Sequence, residues 1–144
     1  SLLTISDEQW VSPELLTQLP QRLTDSQDHF KTTGGLHACA LFDFEGKLVS
    51  VREDVGRHNA LDKLIGSRLI ANGLPAEKQI LMLSGRIGYE LIQKAALAGI
   101  PVIAGLGAPS TMAVDAAREA GLTLIGFLRS NRFNVHTGAW RLIE

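Results

Sequence analysis

The chain has a single cysteine, Cys39, in 144 residues. One thiol excludes an internal disulfide and any metal site built from several thiolates. Charge of either sign is also lacking in excess, because 14 Lys and Arg stand against 15 Asp and Glu for a net charge of −1. No basic field exists to hold nucleic acid non-specifically, so none is expected as a partner, and an anion site must be assembled locally from a few arginines. No apolar run approaches a membrane span, and the first residues lack the basic start and apolar core of a leader. A cytoplasmic protein with no membrane contact is the expectation.

What is present suits one compact domain over 1–144: 45% of the residues are hydrophobic and 20% charged, which sets disorder and fibre readings aside. The chain starts at Ser1 without a methionine, and a piece of a longer protein is expected. Ser12-Pro13-Glu14 offers an N-cap, a first-turn proline and an early acid for a helix through Leu15, Leu16 and Leu19, which Pro20 should kink or interrupt. Leu36 to Phe44 and Lys47 to Arg52, divided by Glu45-Gly46, read as a β-hairpin. Beyond it, strands at Gln79 to Leu83, Pro101 to Ala104 and Leu122 to Leu128 alternate with a helix through Ala98 and another from Ser110 to Ala120. Gly99 and Gly121 fall where those helices must end in a left-handed cap. Right-handed crossovers make this β-α-β-α-β unit parallel, and continuous apolar runs imply strands buried on both faces. The fold class is α/β, a three-layer α/β/α sandwich whose mixed sheet is extended by the N-terminal hairpin.

The richest segment chemically is Glu53 to Lys63. Ala60, Leu61, Leu64, Ile65, Leu69 and Ile70 recur at helical spacing, so Arg57, His58 and Asn59 occupy a helix's first turn, where unpaired N–H groups and the positive dipole end lie. Three further polar segments follow the three parallel strands: Ser84-Gly85-Arg86, Gly105 to Ser110, and Arg129-Ser130-Asn131-Arg132. Carboxyl ends of parallel strands share one rim, where α/β sheets bind ligands. Glycines admit close backbone approach and arginines grip phosphate with two-pronged hydrogen bonds. Each signal alone is weak, since Gly-Leu-Gly-Ala is most often a tight turn and a lone arginine most often a surface charge. Their convergence points to a nucleotide-like or pyrophosphate-bearing ligand.

Other chemistry is less well supported. His37 and Cys39 share a strand face, yet a buried small thiol near a satisfied histidine is the commoner arrangement. Glu53, Asp54 and Asp62 lie among Arg57 and Lys63, so ion pairing is expected before acid-base work. Trp10 and Trp140 read as anchors rather than stacking platforms, and His29 and His136 have no partner evident from sequence.

Thr33-Gly34-Gly35-Leu36-His37-Ala38, Glu53 to Lys63, Leu83-Ser84-Gly85-Arg86, Tyr89-Glu90-Leu91, Ala98-Gly99-Ile100-Pro101-Val102, Gly107-Ala108-Pro109-Ser110 and Arg132-Phe133-Asn134-Val135-His136-Thr137-Gly138 together closely resemble the formate dehydrogenase accessory protein family. The resemblance runs from about residue 33 to the end. It implies a cytidine-deaminase-like fold and a sulfur carrier, or sulfurtransferase. Such a protein takes persulfide sulfur from a cysteine desulfurase and passes it to the molybdenum bis(molybdopterin guanine dinucleotide) cofactor before that enters formate dehydrogenase. It also implies a homodimer.

The family's cofactor-binding segment falls on Phe127, Leu128, Arg129, Ser130, Asn131 and Arg132. Arg129 and Arg132 are expected to grip phosphate, with backbone and Asn131 addressing base or ribose. Arg57, His58, Asn59, Ser84, Gly85 and Arg86 are expected to complete the pocket from neighbouring strand ends. One departure stands out. The family's sulfur-carrying cysteine lies in a Cys-x-x-Cys type loop upstream of the Thr-Gly-Gly segment, and this sequence has no such pair. A persulfide relay needs a presentable thiolate, which a mid-strand Cys39 does not supply, so no catalytic residue is assigned.

Zinc deaminases hold their metal with a His-x-Glu at one helix start and Pro-Cys-x-x-Cys at the next. The corresponding positions here read His58-Asn59-Ala60 and Ser84-Gly85-Arg86-Ile87. Neither the ligands nor the general acid are present, so no zinc is expected. Three readings remain open: the sulfur carrier, a nucleotide-binding regulatory module without chemistry, and a hydrolase or transferase using Asp54 and His58 on a small phosphorylated substrate.

Overall fold

Ser12 opens the first helix: its hydroxyl accepts a hydrogen bond from the Leu15 N–H at 3.1 Å, and α1 then runs from Pro13 to His29. In this computed structural model residues 11–29 and 36–143 are described. Trp10, Thr32, Thr33, Gly34, Gly35 and the side chain of His29 lie outside that set. The expected break at Pro20 does not occur, because the helix continues for two more turns past it. A proline inside a helix costs about 3 kcal/mol. Leu15, Leu16, Leu19 and Leu23 flank it and are all buried on the sheet, each contributing about 2 kcal/mol, so burial outweighs the missing N–H.

The hairpin forms as expected. β1 (His37–Asp43) and β2 (Leu48–Asp54) pair antiparallel, with Gly46 at φ +87° in the turn and the Asp43 carboxylate accepting from the Glu45 and Lys47 amides at 2.9 Å each. α2 (Arg57–Ile70) follows. Ala60, Leu61 and Leu64 carry its packing, whereas Leu69 and Ile70, expected in the same stripe, are 65% and 87% exposed. They occupy the last turn of α2.

β3 (Gln79–Leu83), α3 (Tyr89–Leu97), β4 (Val102–Gly105), α4 (Thr111–Ala120) and β5 (Thr123–Gly126) form the parallel unit. Gly99 and Gly121 take φ +75° and +71° at the helix ends, as their positions required. The strand expected over Leu122 to Leu128 stops at Gly126, because Phe127 turns the chain at φ +51°. A strand not anticipated, β6 (Asn134–Thr137), then pairs antiparallel with β5, and a short 3₁₀ turn follows at Ala139–Arg141.

The sheet order is β2-β1-β3-β4-β5-β6. Side chains alternate between two apolar clusters. Cys39, Leu41, Leu81, Leu83, Ile103 and Leu124 pack beneath α2, α3 and α4, while Ala40, Phe42, Ile80, Met82, Val102 and Ile125 pack against α1. Three layers result. Because β3, β4 and β5 are parallel, the loops at their carboxyl ends meet at one rim.

Candidate functional site

Two rim loops are stitched together beyond the ends of β3 and β4. The Ile87 N–H donates to the Ala108 carbonyl at 3.1 Å, and the Ser110 N–H donates to the Ile87 carbonyl at 2.9 Å, which prolongs parallel pairing by one bridge between Ile87 and Pro109. Ser110 caps α4, its hydroxyl accepting from the Ala113 amide at 3.0 Å. The starts of α2 and α3 are left otherwise. Gly56 and Gly88 hold their N-cap positions with no side-chain cap bond, so first-turn N–H groups there lack a partner from the cap.

Between these helix starts lies a cavity of about 350 Å³ lined by Arg57, Arg86, Gly88, Ala108, Pro109 and Ser110. Its charge is unbalanced. Two carboxylates of this region are engaged with lysines, Asp54 with Lys63 at 2.6 Å and Asp62 with Lys94 at 2.8 Å, and Glu90 lies 3.8 Å from His58 Nε2, a pair that is ionic only when the histidine is protonated. Among the described residues neither Arg57 nor Arg86 has an ion-pair partner, and the Arg57 Nε is buried without an acceptor.

A second cavity of about 300 Å³ is lined by Phe127, Arg129, Arg132 and Asn134. Its loop closes on itself through the Arg129 N–H, which donates to the Arg132 carbonyl at 2.9 Å. Phe127, 42% exposed, is held at positive φ by its N–H donating to the Gly107 carbonyl at 3.1 Å. A non-glycine residue in that region is strained, and such strain concentrates at binding sites. Pro109 of the first cavity packs on Gly126, where a Cβ would lie 2.8 Å from the proline Cδ, and Phe127 of the second is the next residue.

The residues expected at the site therefore separate. Arg57 and Arg86 meet in the first cavity; Phe127, Arg129 and Arg132 meet in the second. Arg129 is partly committed to the backbone, its Nη1 donating to the Leu106 and Leu128 carbonyls at 2.7 and 2.8 Å. The Leu128 side chain is in the core, and Ser130 faces a separate hollow beside Gln21 and Thr24 of α1. Asn131 is exposed and lines neither cavity. Ser84 accepts from the Ala38 amide at 2.9 Å, and Gly85 packs on the His37 ring, its virtual Cβ 3.0 Å from Nδ1. His58 turns toward Glu90, and Asn59 is exposed near Asp54, to which it hydrogen-bonds. Sequence reasoning missed Gly88 and Asn134. The isolated glycine ahead of Tyr89 and the alternating Asn-Val-His-Thr run were the available signals.

The remaining candidate groups are quiet. Burial pushes the Cys39 thiol up to about 12, in keeping with an inert core thiol. The hydrogen bond from Lys63 and then that from the Gly56 amide hold Asp54 below its ordinary value, which makes it a weak base. Burial lowers His136, whose Nε2 is buried without a hydrogen-bond partner among the described residues and whose ring lies beside that of Phe127 at 6.2 Å between centroids. Trp140, expected as an anchor, is 45% exposed and carries the Arg141 guanidinium 5.4 Å above its ring. Among the described residues no three His, Cys, Asp or Glu side chains gather as metal ligands, and no helix is long and apolar enough to cross a membrane.

Comparison with known proteins gives this geometry a context. The model of the FdhD/NarQ family matches residues 2–143. The chain is 58% identical over 132 residues to the sulfur carrier protein FdhD of Streptomyces coelicolor, covering 92% of this chain and 47% of that protein. It is 53% identical over 133 residues to the protein of the same name from Sulfurisphaera tokodaii, covering 92% and 52%. A crystal structure from Desulfotalea psychrophila, assigned as a formate dehydrogenase accessory protein, superposes with a TM-score of 0.85 at 29% identity, covering 96% of this chain and 59% of that one. The chain thus spans about half the length of the curated relatives it matches.

Proposed function

Because the chain belongs to the FdhD/NarQ family, we propose that it serves sulfur delivery to formate dehydrogenase by holding the molybdenum bis(molybdopterin guanine dinucleotide) cofactor as cargo on the rim. Persulfide sulfur supplied by a cysteine desulfurase is passed to that cargo. One observation carries the reading: two adjacent cavities, each bearing a pair of arginines, open at the carboxyl edge of a parallel sheet. Each is at the lower end of the size range for small-ligand pockets, which suits the nucleotide parts of the cofactor better than its whole.

The residues have separable tasks. Phe127 offers an exposed ring to a base, Arg132 and the free nitrogens of Arg129 take phosphate oxygens, and the rigid stitching of the loops orients them. Cys39 plays no part in transfer, since a buried thiol raised to about 12 presents almost no thiolate. The same inert thiol favours the second reading, a nucleotide-binding regulatory module without sulfur chemistry. The hydrolase reading is weaker, because Asp54 is tied to Lys63 and His58 faces Glu90. A cytoplasmic homodimer that docks on formate dehydrogenase completes the proposal.

Calorimetric titration with guanosine diphosphate, beside an Arg129→Ala/Arg132→Ala variant, tests it. Binding to the wild-type chain that is markedly weakened in the variant is expected. A folded wild-type chain that does not bind the nucleotide overturns the assignment to this rim.

A further inference from the structure

We propose that the cavity between Arg57 and Arg86 is a distinct oxyanion subsite, which takes the phosphate or pyrophosphate group of a ligand without recognising its base. The inference rests on the proposed nucleotide cargo and adds where a second, base-independent grip lies.

Three independent features of the cavity favour a multiply charged anion. First, Arg57 and Arg86 have no ion-pair partner among the described residues, while Asp54 and Asp62 are paired with Lys63 and Lys94. The Nε of Arg57 is buried without a hydrogen-bond partner among the described residues, so no acceptor there offsets its desolvation. Second, α3 begins at the cavity behind Gly88 with no side-chain cap. Ser110 adds a hydroxyl whose oxygen is already used as an acceptor from Ala113, leaving its hydrogen for the ligand. Third, the two loops are locked by the Ile87 and Ala108 backbone bonds, so donors are organised before binding.

The chemistry of the donors selects the ligand. Two planar guanidinia and a hydroxyl offer more donors than one carboxylate can accept, whereas a phosphate presents three oxygens and up to two charges. Among the described residues no aromatic face lines this cavity, so none of them would read a base there. A ligand reaching past Pro109 and Gly126 would be held at both ends.

Gly88 supplies a selective test. A Cβ built there meets nothing within 4 Å, and its φ of −98° and ψ of 170° suit any N-cap residue. Gly88→Asp adds a favoured helix cap and simultaneously a negative charge at the cavity. Gly88→Asn adds a cap of the same shape without the charge. The probe is inorganic pyrophosphate, titrated into the full chain by calorimetry with thermal melting recorded for each variant. Binding is expected to weaken about tenfold or more in Gly88→Asp and in Arg57→Gln/Arg86→Gln, and to weaken less in Gly88→Asn, which occupies the uncapped N–H groups without adding a charge. It is expected to persist in Arg129→Ala/Arg132→Ala. Neither Gly88 variant should melt earlier than wild type.

Two outcomes overturn the proposal. One is pyrophosphate binding abolished by Arg129→Ala/Arg132→Ala yet indifferent to Gly88→Asp, which places the anion in the other cavity. The other is a folded chain that binds guanosine diphosphate but not pyrophosphate, which leaves the proposed function standing and removes the subsite. Pyrophosphate bound without any guanine nucleotide affinity would do the reverse.

Discussion

Gly107 stands against the backbone of Gly85: a Cβ at position 107 would lie 2.9 Å from the Gly85 carbonyl oxygen and 3.1 Å from the Arg86 amide nitrogen. These neighbours are backbone and cannot rotate aside. Glycine is needed here for close approach, since it lets the loops after β3 and β4 touch and so sets Arg86 beside Ala108. Gly107→Ala is expected to cost about 2 kcal/mol, in the range of overpacking changes, and to weaken anion binding in both cavities, because Phe127 also bonds to Gly107. Melting and titration of that variant check this. Unchanged binding would mean that the contact does not set the rim.

Much of this architecture was legible because it is enforced by local pattern. The apolar runs of β3 and β5 and the left-handed glycines at 99 and 121 signal buried parallel strands with helices between them. The arginines of the rim followed from topology, since whatever succeeds a parallel strand reaches the same edge. Pro20 misled because propensity is a local quantity, whereas the leucines around it respond to the sheet. β6 was hidden because three of its four side chains are not buried, so it lacks the apolar run that marked the other strands. Nor could sequence divide residues 127–132 between a cavity, the core and the α1 side; that division depends on the turn at Phe127.

Cys39 gives a prediction about reactivity. With its thiol raised to about 12 by burial, the thiolate fraction near neutral pH falls about a thousandfold below that of an ordinary cysteine. A disulfide reagent should therefore label the chain at the rate of unfolding, and label it fast in denaturant. The linked effect on stability has a definite sign: the folded state keeps a proton that the unfolded chain loses above 9.0, so stability falls as pH rises from there toward 12. Rapid labelling of the native chain would contradict the buried assignment.

His136 gives the acid-side counterpart. Burial lowers its folded value below the ordinary 6.5, so the unfolded chain binds the proton more readily. Its contribution is intact above 6.5 and is lost as pH falls from there through the folded value. Replacing it by Gln should flatten the pH dependence of the denaturant midpoint in that window. Asp54, also lowered, acts further down: its contribution is complete above 3.8 and is lost as pH falls through its folded value. An unchanged slope below 6.5 in His136→Gln would assign the acid sensitivity to another group.

Arg141 is 1% exposed and lines neither cavity, yet its hydrogen bonds lead toward the second. Its Nη1 donates to the Gly121 carbonyl at 2.7 Å and to Thr123 Oγ1 at 3.2 Å, Thr123 donates in turn to the Gly138 carbonyl at 2.7 Å, and Thr137 donates to the Leu122 carbonyl at 2.8 Å. This network ties the segment after β6 to the start of β5, and β6 carries Asn134 into the cavity wall. Arg141→Lys cannot reproduce the planar fork and is expected to cost about 3 kcal/mol through unsatisfied buried groups, against about 1 kcal/mol for the half-exposed Trp140→Ala. Hydrogen exchange should quicken first at the β6 amides while β3 and β4 stay protected, and guanosine diphosphate affinity should fall although no ligand contact is removed. If exchange quickens evenly across the sheet instead, Arg141 supports the whole fold and has no special hold on the site.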